Sequence, residues 1–168
     1  METDITAAGE GANQLRAAMR AWTSGVAVVT AVYNGEQHGM TVSSFTSVSL
    51  APPMIIISLQ TASRTHDVVA KAGAFGVTIL ATGQRELAER FANQQVTMEE
   101  RLDGIETETL ATGAPLIKGG LAYLDCRVRE SIAVGMNTVF LAEVIAVRGD
   151  DHDAPLVYHD REYRRLEG

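Results

Sequence analysis

The feature that most constrains the fold is a β-branched stretch, Val26 to Tyr33, that runs into Asn34-Gly35 and out again along Gln37 to Ser44. Asn-Gly between two such segments is a type I′ hairpin signal, because both central residues must accept positive φ. Further strands are expected at Met54–Leu59 (read as a continuous buried strand after the break at Pro52-Pro53), Phe75–Leu80, Leu121–Glu130, Thr138–Val147 and Ala154–Tyr158. Helical spacing predicts Asn13–Thr23, with Asn13 as N-cap and Gly25 as the stop. It also predicts His66–Ala72 stopped by Gly73, and Gly83–Phe91 with Leu87, Ala88 and Phe91 on one face. Asn93–Glu108 is polar and irregular, with acids at Glu99, Glu100, Asp103, Glu106 and Glu108. It reads as a surface excursion, either a lid or partner-contacting segment or a plain solvated loop. No strand–helix–strand unit carries a glycine-rich turn, which argues against a Rossmann fold. The expected fold is mainly β: a six- to seven-stranded antiparallel Greek-key barrel with flanking helices.

With 168 residues and 46% hydrophobic content, the chain can bury a full core, and one domain over 13–168 is expected after a disordered tail over 1–12. That tail lacks the basic and apolar regions of a signal peptide. The longest apolar run, Met54 to Ile57, is too short to span a bilayer, so no membrane partner is expected and the expected compartment is the cytoplasm. The formal net charge of −7 argues against sequence-independent nucleic-acid binding. The basic residues Arg161, Arg164 and Arg165 form either a solvated helical turn or a pocket edge that receives a phosphate. One cysteine, Cys126, excludes an intrachain disulfide and reads as a small buried residue. His38, His66, His152 and His159 have no metal-ligand spacing, so no metal is expected.

Two runs of small hydroxyl residues stand out: His38 to Ser49 and Ser58 to Thr65. Neither contains an acid or base suited to catalysis, so no catalytic residue is assigned. Both are dense in neutral hydrogen-bonding groups, which suit a polar ring and a phosphate. They read as a surface for a cofactor that carries its own chemistry, or equally as a solvated Ser/Thr-rich strand and an ordinary helix cap.

The chain resembles the short-chain flavin reductases, the split-barrel reductase components of two-component flavin-dependent monooxygenases. The matching pieces are Ala18-Met19, Ser24-Gly25-Val26, His38 to Phe45, Ser47 to Leu50, Pro52-Pro53, Ser63-Arg64-Thr65, Phe75-Gly76-Val77 and Leu87 to Ala92. They continue through Gly113-Ala114-Pro115, Phe140 to Val144 and Pro155 to Tyr158. The resemblance implies an FMN- or FAD-binding homodimer, reduced by NADH or NADPH, that serves a flavin-dependent monooxygenase. It assigns Thr41, Val42, Ser43, Ser44, Phe45, Ser47 and Val48 to the flavin ring and ribityl chain, and Ala62, Ser63, Arg64 and Thr65 to the phosphate. Phe91 would lie beside the flavin, unless it is a core residue. Gly135, Asn137 and Tyr163 would border the nicotinamide, Tyr163 being as readily a packing residue of the C-terminal turn.

One departure concerns Gly135-Met136-Asn137-Thr138. Many relatives carry Gly-Asp-His-Thr here, so Asn137 replaces a group that titrates near neutral pH with one that does not. Hydride transfer needs stacking and water exclusion rather than a protein acid, so a reductase remains the expectation. The alternatives are a flavoenzyme acting on a small organic substrate, with the site reshaped around Met136 and Asn137, or a flavin carrier without turnover.

Overall fold

Strand β2 (Ala27–Tyr33) is buried along both faces for its first five residues, and that double burial organises the molecule. In this computed structural model, which describes residues 8–149 and 153–166, Ala27, Val29 and Ala31 point into the barrel interior with Ile55, Ile57, Phe75 and Phe140. Val28, together with Val26, points the other way, into a second cluster under Leu87, Phe91 and Ile117. Successive side chains of a strand alternate faces, so one sequence run feeds two cores.

The elements in chain order are α1 (Ala8–Met19), β1 (Ser24–Gly25), β2, β3 (Glu36–Val42), β4 (Phe45–Leu50), β5 (Pro53–Gln60), α2 (Arg64–Ala72) and β6 (Ala74–Ile79). A 3-10 turn, Thr82–Gln84, leads into α3 (Arg85–Ala92), α4 (Met98–Leu102), β7 (Thr107–Glu108) and β8 (Leu116–Ile117). Last come β9 (Ala122–Val134), β10 (Asn137–Gly149), β11 (Val157–His159) and β12 (Glu162–Arg164). Seven strands form one sheet in the order β3-β2-β6-β9-β10-β5-β4, antiparallel at every junction. β3 and β4 are its two edges; the sheet rolls up but does not close between them, as expected of a split barrel. The Asn34-Gly35 turn takes the predicted positive φ at both residues.

Several expectations need correction. Helix α1 starts at Ala8, not at an Asn13 cap, and ends at Met19. Thus Ala8 to Ala12 of the expected tail are helical; residues 1–7 of that tail, and His152, lie outside the described residues. Gly25 is not a helix stop but pairs with Val157 in a small sheet. Strand β5 is not buried throughout: Ile55, Ile57 and Leu59 are buried while Met54, Ile56 and Ser58 are half-buried, because only one face meets the core. The basic C-terminal segment is not a helical turn but a β11–β12 hairpin, turning at Asp160 and Arg161 with positive φ.

The 109–117 segment closes over one side of the sheet and is held by buried polar groups. Fully buried Asp125 accepts hydrogen bonds from Ala111 N (2.6 Å), Thr112 N (2.7 Å) and Thr112 Oγ1. Thr78 Oγ1 accepts from Ile117 N at 3.0 Å, and Thr30 donates to the Pro115 carbonyl. Gly76 makes room beneath: a Cβ there would stand 2.7 Å from Leu116 Cδ2. Beside Asp125, burial pushes the Cys126 thiol up to about 12, so Cys126 is a packing residue as expected. Asp125→Ala leaves these donors without their acceptor and should cost about 3 kcal/mol in urea unfolding, against under about 1 kcal/mol for a surface control such as Glu99→Ala.

Candidate active site

A groove of about 500 Å³ follows the free edge of β3. Counting from the two-residue turn, Tyr33 and Glu36 exchange backbone hydrogen bonds, so Gly39 and Thr41 fall at positions whose backbone groups face away from β2. Arg101 Nη1 donates to the Gly39 carbonyl at 2.6 Å, from the side opposite β2. One wall of the groove is the start of α2. The other is the end of α3, the 93–97 segment and α4.

At the α2 wall, Ser63 is the N-cap, its Oγ accepting from His66 N at 3.2 Å. Its hydroxyl hydrogen stays free to donate, and the first helical turn adds N–H groups with no intrahelical partner. His38 Nδ1 lies 2.8 Å from Thr65 Oγ1, tying β3 to this turn. At the other wall, Thr41 Oγ1 donates to the Ala88 carbonyl at 2.7 Å. Phe91 is buried in the second core cluster and also lines the groove. A Cβ at Gly39 would stand 3.3 Å from Phe91 Cε1 and 2.9 Å from Thr30 Cγ2, so glycine is what lets α3 lie this close. The apolar faces of Met40, Phe91 and Val96, with the hydroxyls and N–H groups opposite, fit a planar heteroaromatic ring bearing a phosphate.

Of the twelve residues assigned to flavin contact, Thr41, Ala62, Ser63, Arg64, Thr65 and Phe91 line this groove. Thr41, Val42 and Ser43 continue into an adjoining cleft with Tyr158 and Tyr163. Ser44 lines a further cleft with Ser43, Trp22 and Arg161, and Phe45 one with Val42 and Ser43. Ser47 and Val48 do not line these clefts. They lie on the edge strand β4, beside a bulge, with Val48 exposed. Asn137 is likewise apart from Tyr163: its Nδ2 donates to Ser58 Oγ at 3.0 Å, at the start of β10, and Gly135 occupies the β9–β10 turn with φ 56°. Arg64 is less available than expected, because its guanidinium is held by both oxygens of Glu36 and lies 3.5 Å from Asp67.

Sequence reasoning missed Arg101. It lies in the acidic stretch read as a solvated excursion, yet it is buried under α4 and lines the groove. Its flanking capping box, Thr97 with Glu100, is the signal that this segment is helical.

The sequence pattern of the flavin reductase like domain matches residues 19–167. The chain belongs to that family. It is 38% identical over 166 residues to a flavin reductase (NADPH) of Lentzea aerocolonigenes, covering 97% of this chain and 95% of the relative. It is 34% identical over 149 residues to the reductase component of 4-hydroxyphenylacetate 3-monooxygenase from Thermus thermophilus, covering 89% and 93%. Among solved structures, the NADH:FAD oxidoreductase of Streptomyces globisporus superimposes with a TM-score of 0.87 at 32% identity, covering 94% of each chain. The split barrel described above is therefore the flavin reductase fold, with its β3 edge open.

In this flavin reductase family member, burial first, then the charges of Arg101 and Arg64, hold His38 below its ordinary value, against the opposing pull of Glu36. The unfolded chain then binds a proton that folded His38 resists, so this group's contribution is fully present above the unfolded value of about 6.5 and is lost as pH falls from there through the lower folded value. His38→Gln should flatten the loss of urea stability between neutral and mildly acidic pH. An unchanged slope would show that His38 does not carry it.

Proposed function

We propose that the protein is an NAD(P)H-dependent flavin reductase that transfers hydride from the nicotinamide to FMN or FAD and supplies reduced flavin to a partner monooxygenase. The observation that carries this reading is the convergence of Thr41, Ala62, Ser63, Thr65 and Phe91 on one groove. The family and its members' names support the same reading. They favour it over a reshaped small-molecule flavoenzyme or a carrier. Bound flavin supplies the hydride-accepting ring.

The chain's own part is positional. The free backbone groups at Thr41 orient the polar edge of the ring. Ser63 and the first turn of α2 hold the phosphate. Phe91 and Met40 give the ring apolar contact and keep water from that side. The cleft that joins Thr41 to Tyr163 offers the nicotinamide a route to the ring. Asn137 contributes hydrogen bonds rather than a proton, which hydride transfer does not require. The lone buried thiol suits a reducing compartment, and we assign the protein to the cytoplasm.

A homodimer belongs to the same proposal. Leu15, Met19 and Trp22 on and after α1, Val48 and Leu50 on β4, and Ile132, Val134 and Met136 at the β9–β10 tip are all exposed. So much uncovered apolar surface marks an interaction face. A second copy of the chain would cover it and bring Ser47, Val48 and Asn137 toward a shared site.

Two outcomes are expected. Flavin-loaded protein mixed anaerobically with NADH or NADPH should lose its yellow absorbance in a single-turnover measurement; retention of colour with both donors would refute reductase activity. Light scattering on the eluting protein should give a dimer mass for the wild type and a monomer mass for Leu50→Asp.

A further inference from the structure

Arg101 carries a positive charge that nothing in the described chain neutralises. The residue is 4% exposed. Its Nη1 and Nη2 donate to the neutral carbonyls of Gly39 and Asn93 at 2.6 and 2.7 Å, and its Nε has no partner. Among the described residues no carboxylate lies within ion-pair distance. Burial alone lowers its proton affinity, with no acid restoring it. A buried cation without a counter-ion is costly and is seldom kept without use. Carboxylates are close by in sequence, yet Glu100 is engaged by the Thr97 cap. Arg64, the cation expected from the sequence, is already neutralised by Glu36 and Asp67.

Arg101 lines the same groove as Ser63 and Thr65. Its field reaches the start of α2, since it helps depress the proton affinity of His38, which is bonded to Thr65. The groove thus has an α2 N-terminus on one wall and an uncompensated guanidinium on the other.

We infer that Arg101, and not Arg64, is the cation that selects phosphorylated flavins over riboflavin, acting across the groove from Ser63 and the first turn of α2. This rests on the flavin reading of the groove. It also gives the 93–102 segment a function as a clamp that delivers one charge to the ligand, rather than as a partner-docking loop.

The test compares dissociation constants for FMN and riboflavin in the full-length wild type, Arg101→Gln and Arg64→Gln, by flavin fluorescence. The wild type should prefer FMN. Arg101→Gln should lose about tenfold or more of that preference while keeping its riboflavin affinity, and Arg64→Gln should stay within about threefold of the wild type. Equal weakening of both ligands by Arg101→Gln would reduce Arg101 to a structural clamp and overturn the inference, as would collapse of the preference in Arg64→Gln alone. Should Arg101→Gln not fold, the side-chain N–H resonances of Arg101 in the wild type should move with FMN and stay put with riboflavin; no movement with FMN overturns the inference. Failure of the wild type to bind either flavin is a different result, refuting the flavin reading itself. Thermal stabilisation by inorganic phosphate would still test the charge: a shift in the wild type that Arg101→Gln lacks supports anion selection by Arg101, and no shift in the wild type opposes it.

Discussion

An edge strand must do something with its unpaired backbone, and the free edge of β3 is the constraint from which the groove follows. A bare edge invites pairing with another chain. Here it is flanked by α2 on one side and by α3, the 93–97 segment and α4 on the other, which leaves a channel along it. The channel keeps its shape because each wall is fastened to β3 by a polar contact: His38 to Thr65, Thr41 to the Ala88 carbonyl, and Arg101 to the Gly39 carbonyl. The β2–β3 ladder sets which groups of β3 face the channel, and β2 cannot shift register without moving its apolar residues out of both cores.

Much of this was legible in the sequence because it is local. The Asn34-Gly35 turn and the stop at Gly73, with φ 62°, are decided by a few neighbouring residues, and each stands where it was read; α2 itself begins at Arg64, two residues before the expected His66, because Ser63 caps it. The three apolar residues assigned to one face of α3 are buried together. The misreadings concern long-range placement. Arg101 among acids looks solvated, and only the approach of α4 to β3 buries it. The stripe Leu15, Met19 and Trp22 has core-like spacing but stays exposed among the described residues. The basic C-terminal residues looked like a helical turn because the partner of β11, Ser24-Gly25, is remote in sequence. The expected site residues of β3 and α2 meet at the groove, while Ser47 and Val48 sit on the edge strand β4 and Asn137 stands beside the groove, paired with Gln60.

The electrostatics explain why an acidic protein can hold an anion. The formal net charge of −7 opposes a phosphate at long range, but screening confines that repulsion to roughly 8–10 Å at moderate salt. Inside the groove the balance is local. Glu36 and Asp67 lie on the exposed side of Arg64, whereas Arg101 is drawn below the surface, away from carboxylates. Lower effective dielectric strengthens the buried charge relative to the exposed acids.

Asn137, the amide that the resemblance sets against a histidine, stands beside the groove rather than in its lining: it pairs across the ladder with Gln60, which does line it. The β9–β10 tip is tied to the turn after β5 through Thr61, whose N and Oγ1 both donate to the Met136 carbonyl, at 2.9 and 3.0 Å. His66 of α2 contacts Thr138 Oγ1 at 2.8 Å, and Asn137 bonds Ser58, whose backbone N and O are bridged by Ser44 Oγ. The tip is therefore linked to both segments that the resemblance assigns to flavin, through groups that stay neutral across the physiological range at Asn137, Ser58 and Ser44. An amide in such a chain holds geometry without adding a titration. That is sufficient where the transferred species is a hydride and the donor needs only to be placed.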